Sequence, residues 1–171
     1  MSDGNETSML ARLIAFVFVS LIALVLGCGG HQSVAPSADA QMTLYSLDPK
    51  SDFPQPNHEK PKGETFHRFD VLGKIENVDA AKRKELVAAL DRAVANSDGN
   101  MAKCFEPRHG IRMKKGDSVS DYVICFECLQ MAVHQNGSVV TKAITQEPVA
   151  VFNKHLTDAG IRIAPPKWGK D

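Results

Sequence analysis

Residues 121–134 read Asp-Tyr-Val-Ile-Cys-Phe-Glu-Cys-Leu-Gln-Met-Ala-Val-His, a nearly unbroken apolar run that contains no glycine, proline or asparagine. Such a run reads as one central strand covered on both faces. A polar segment with a glycine, Lys114-Lys115-Gly116-Asp117-Ser118, precedes it and joins it to a second strand candidate over 104–113. On the other side Asn136-Gly137 is a strong hairpin signal, and the chain returns as a strand over 139–145.

Upstream, His67, Phe69 and Val71 alternate with Arg68 and Asp70, the period of a half-buried strand ending at Gly73. Asp79 then offers a carboxylate to free backbone amides, and Leu86, Leu90, Ala93 and Val94 fall on one stripe of the helix it would cap. A second helix is expected from about Pro148, with Val149, Phe152 and Leu156 on its apolar side and Gly160 at its end. The expected fold is a single α+β domain over residues 64–166. Its mostly antiparallel four-stranded sheet carries two amphipathic helices on one face, and 167–171 form a tail.

The first 63 residues differ in kind. Leu13 to Gly27 is an uncharged apolar run of fifteen residues, preceded by Arg12 and followed by Cys28. A membrane-spanning helix needs about 20 such residues, whereas a secretion signal needs fewer. With Val25, Leu26 and Gly27 before the cysteine, the segment resembles a bacterial lipobox. We therefore expect residues 1–27 to be a lipoprotein signal peptide, with Met9 as its functional start, and Cys28 to be lipidated through its thiol. Acyl chains contribute roughly 0.8 kcal/mol per buried methylene, enough for a multiply acylated cysteine to hold a domain on a membrane. Residues 28–63 hold five of the nine prolines and read as a tether, with 42–47 as a short edge strand at most. The expected location is the cell envelope, with the domain outside the cytoplasm in the periplasm or on the cell surface.

Lysine and arginine number 20 and aspartate and glutamate 20, so the formal net charge is zero, which argues against a nucleic-acid partner. Phosphate-binding glycine loops, a serine-hydrolase elbow and a paired-histidine zinc helix are all missing from the sequence. The expected activity is therefore non-enzymatic, a binding or structural module whose protein or small-molecule partner is open.

Three cysteines remain once Cys28 is assigned to lipid: Cys104, Cys125 and Cys128. If the hairpin pairs residues whose numbers sum to about 232, Cys104 lies opposite Cys128, and His109 lies opposite Val123 and diagonal to Cys125. Four readings compete for this group. Cys104, His109, Cys125 and Cys128 have the chemistry of a tetrahedral zinc site, although residues three apart on a regular strand face opposite ways and a bulge at Phe126-Glu127 would be needed. An oxidising exterior favours a structural bridge, Cys104 to Cys128 or Cys125 to Cys128. The Cys-x-x-Cys spacing also suits thiol redox chemistry, and the fourth reading is three small buried side chains. Arg108 and Arg112 are candidate anion ligands if Pro107 pushes a bulge outward, or ion-pair partners of Glu106 or Glu127.

The motifs Cys104-Phe-Glu-Pro-Arg-His-Gly-Ile-Arg112 and Val123-Ile-Cys-Phe-Glu-Cys128, with Phe152-Asn153 and Ala159-Gly160-Ile161, resemble those of a group of small bacterial lipoprotein-type proteins. The resemblance covers about residues 66–166. It implies those domain boundaries and carries no particular activity.

Overall fold

The computed structural model describes residues 40–49 and 63–166. The apolar leader, Cys28, most of the tether and the tail lie outside the described residues.

The expected α+β domain, a four-stranded sheet with two helices on one face, is corrected: the described residues form a mostly β structure with seven strands. β1 (Gln41–Asp48), β2 (Thr65–Phe66), β3 (Phe69–Ile75), β4 (His109–Lys115), β5 (Ser118–Cys125), β6 (Gln130–Gln135) and β7 (Ser138–Ala143) form one curled antiparallel sheet in the order β2-β3-β1-β4-β5-β6-β7. Among the described residues two helices accompany it, α1 (Ala80–Ala95) and α2 (Val149–Asp158).

Each extra strand has a local cause. The run 121–134 is not one strand, because residues 126–129 turn the chain and Leu129 sits at φ 55°. Residues 67–68 likewise turn, with His67 at φ 56°, so that Phe66 pairs with Phe69 rather than continuing an alternation. β1, expected at most as an edge strand on a tether, lies between β3 and β4. Its Met42 and Leu44 pack on one side of the sheet and its Tyr45 and Leu47 on the other, which is the pattern an interior strand requires. A bulge between Ser46 and Leu47 keeps both sides filled, and Ser46 Oγ donates to the Arg162 carbonyl at 2.6 Å.

The elements with strong local signals form where expected. The Asp79 carboxylate caps α1 by accepting from the Lys82 amide, and Leu86, Val87, Ala89, Leu90 and Ala93 are buried beneath it. Gly116 at φ 56° and the Asn136-Gly137 pair at φ 51° and 75° make the two tight hairpins. Phe152 and Leu156 of α2 complete a core with Met42, Leu44, Ile111, Ile124 and Met131. His155 of α2 reaches Glu85 of α1, Nε2 to Oε2 at 2.9 Å, and ties the helices together.

A second cluster contains no helical residue: Tyr45, Leu47, Phe66, Phe69 and Val123, with Val71, Phe105 and Ala132 at its edge. Gly110 is essential to it, since a Cβ there would stand 2.8 Å from the Phe66 ring. Phe66 thereby lies flat on the strands, stacked on Tyr45 at 4.3 Å between centroids. This helix-free face curls so far that the β2–β3 turn, at one end of the strand order, reaches β6.

Candidate functional site

On β5 and β6, Asp121 pairs with His134, Val123 with Ala132 and Cys125 with Gln130, so these six side chains share the helix-free face. β7 adds Val139 and Thr141 opposite His134 and Ala132. The curl brings the β2–β3 turn over them. The His67 ring stacks on His134 with centroids 3.8 Å apart, and His67 Nε2 lies 3.1 Å from Asp121 Oδ2. The result is an open trough of about 570 Å³ with Val123 and Ala132 among its apolar lining, aromatic walls from Phe69 and Phe105, and polar groups from His67, Arg68, Gln130, His134 and Thr141. Arg68 lies with Cζ 5.5 Å from the Phe69 ring centroid, placing a guanidinium beside an aromatic wall.

Asp121 is fixed from the neighbouring strand. Arg112 grips it with two hydrogen bonds, Nε to Oδ1 at 2.7 Å and Nη2 to Oδ2 at 2.6 Å. Burial and the neighbouring His67 hold the His134 imidazole below its ordinary value, against the pull of Asp121. At neutral pH His134 is thus an uncharged ring with one donor and one acceptor.

The cysteines stand at the end of the same face. Cys125 and Cys128 form a disulfide across the β5–β6 turn, Cα to Cα 5.2 Å, and Cys104 is free and exposed. A turn over residues 126–129 thus stands where the zinc reading would have required a bulge at Phe126-Glu127. Cys104 Sγ lies 3.2 Å from Cys128 Sγ. Gln130 joins the two features: it lines the trough, and its Nε2 donates to the carbonyls of Ala102 and Cys104 at 2.9 and 2.6 Å.

His109 does not join them. The observed register sets His109 opposite Ile124 and Gly110 opposite Val123, one residue from the expected pairing, and this sends the imidazole to the helix side. There it packs edge-on to Phe126 and Phe152, with Nε2 2.8 Å from Asn153 Oδ1. Burial holds its pKa down to about 4, opposed by the Asn153 hydrogen bond and aided by the charge of Arg108. Among the described residues, no three of histidine, cysteine, aspartate and glutamate gather as a metal-ligand set.

The arginine candidates are both engaged. Arg108 is buried, pairs with Glu127 at 2.7 Å and donates from Nε to the Pro165 carbonyl. Arg112 serves Asp121 and also lies over the Phe66 ring, 5.4 Å from its centroid. The trough residues were not among the sequence candidates. Their signal was the pairing of Asp121 with His134, which becomes visible only once residues 126–129 are read as a turn. Cys28 lies outside the described residues, and among those no helix is long and apolar enough to cross a membrane.

No protein-family model, curated protein or solved structure matches this chain.

Proposed function

We propose that this chain is a lipid-anchored protein of the cell envelope whose domain is a non-enzymatic binding module, taking a small ligand in the trough on the helix-free face. The observation that carries the reading is the trough itself, an open concavity whose apolar residues sit among several hydrogen-bonding groups. Its lining suits a ligand with a flat apolar body, to lie against Val123, Ala132 and Phe69, and an acidic group, to meet Arg68 and the imidazoles. The anchor rests on the sequence around Cys28, and it would leave the domain free on the far side of the tether.

Anilinonaphthalene sulfonate has both ligand features and serves as the probe. Its fluorescence should rise on the folded wild type. The rise should be lost in Ala132→Trp, whose indole fills the trough, while the variant keeps the wild-type melting temperature. Equal fluorescence from both proteins would remove the trough from the account. For the anchor, fatty-acid label should enter the wild type and not Cys28→Ala, and the variant should leave the membrane fraction. A variant that still sediments with membranes, beside an unlabelled wild type, would overturn the lipid attachment.

A further inference from the structure

The three cysteines form a geometry that a purely structural bridge does not require. The bridged pair is sealed, with Cys125 1% and Cys128 0% exposed, whereas Cys104 faces solvent while touching the Cys128 sulfur. Backbone contacts fix this approach: the Ala102 amide donates to the Cys128 carbonyl at 3.0 Å, and Gln130 clamps the carbonyls of Ala102 and Cys104. Both buried sulfurs also receive amides, Cys128 Sγ from Glu106 and Cys125 Sγ from Cys128, each at 3.2 Å. An amide aimed at a sulfur stabilises it as a departing thiolate.

We infer that Cys104, Cys125 and Cys128 form a thiol–disulfide exchange site in which Cys128 is the shared sulfur and Cys104 the link to solvent. The Cys104 thiolate attacks Cys128 Sγ. The Cys104–Cys128 bond forms and the Cys125–Cys128 bond breaks. Cys125 leaves as a thiolate held by the Cys128 amide and takes up the proton that Cys104 lost, so this step is an isomerisation with no net oxidation. It carries the disulfide from a sealed position to one with an exposed sulfur. A dithiol partner can then attack Cys104 Sγ, displacing Cys128 as a thiolate held by the Glu106 amide. The partner's second thiol attacks the mixed disulfide and frees Cys104. The partner loses two electrons and two protons and becomes a disulfide, and the domain gains them as thiols, in a single stoichiometric exchange without turnover that stands beside the binding role of the trough. None of this depends on what the trough binds.

The full chain in detergent is the material for the test. After incubation at pH 8, acid quenching and alkylation, proteolysis between Cys125 and Cys128 followed by mass spectrometry without reduction should recover both Cys125–Cys128 and Cys104–Cys128 linkages. Cys125→Ser should hold a Cys104–Cys128 bond. Dithiothreitol should reduce Cys104→Ser about tenfold or more slowly than the wild type, because the remaining bond has no exposed sulfur. The inference is overturned if the wild type yields the Cys125–Cys128 linkage alone, if Cys104 and Cys128 are both alkylated as free thiols in Cys125→Ser, or if Cys104→Ser is reduced at the wild-type rate.

Discussion

Ile111, Tyr122, Ile124 and Met131 point from β4, β5 and β6 into a core closed by Leu90, Phe152 and Leu156 of the helices. Their sequence neighbours Arg112, Asp121, Val123 and Ala132 lie with His134 on the opposite face, where among the described residues the cover is the β2–β3 turn with its Phe66 and His67. The imidazoles on the two sides show what separates them. His109 on the covered face is walled by phenylalanines and held neutral to about pH 4, whereas His67 and His134 on the curled face stack beside a carboxylate at the rim of an open trough. The same strands serve both faces, and among the described residues it is the curled one that leaves His67, Gln130 and His134 lining an open trough.

Breaking the covered face should cost most. Phe152→Ala removes a fully buried ring that touches both His109 and Phe126, and should lower unfolding free energy by about 3–5 kcal/mol in urea titrations. A loss below 1 kcal/mol would mean that α2 does not close this core.

The pH dependence sharpens the contrast. His109 has a folded pKa of about 4, below its unfolded value near 6.5, so its contribution to stability is complete about a unit above the unfolded value and declines as pH falls through about 6.5 toward 4. Between pH 6.5 and 5 that decline is about 1.5 kcal/mol, since the unfolded chain binds a proton that the folded chain refuses. Urea titrations at the two pH values should show the extra loss in the wild type and a flatter profile in His109→Phe. Parallel profiles would place the imidazole in contact with water.

On the curled face a charge change should matter less to stability. Asp121→Asn weakens the grip of Arg112 and the contact with His67, but Arg112 is 45% exposed and solvent screens the pair, so the expected loss is at most about 1 kcal/mol. Its larger effect should be on the probe, because the His67–His134 stack loses its anchor. A variant as destabilised as Phe152→Ala would make this face as much a part of the core as the other.

The sequence made some of this arrangement legible. Asp79, the stripe of α1, Gly116 and Asn136-Gly137 each act through local backbone chemistry, and each element they mark lies where that chemistry puts it. The β5–β6 turn escaped because Phe126, Glu127, Cys128 and Leu129 carry no turn signal; it coincides with a disulfide and a left-handed Leu129. β1 escaped because Ser46 and Thr43 make it look half polar, while its burial comes from β3 and β4 on either side. Cys104 does approach Cys128, but from a loop onto the β5–β6 turn and not by the strand pairing expected of the hairpin, and His109 missed its face by one step of register. The trough was beyond any local pattern, because only the curl of the sheet brings His67 onto His134.

Imidazole proton–nitrogen NMR of the folded chain, recorded with and without anilinonaphthalene sulfonate, interrogates both faces at once. The account predicts that the His67 and His134 rings shift on addition of the probe while His109 stays fixed and remains neutral at pH 5. A probe-induced shift at His109 with none at His67 or His134 would contradict it.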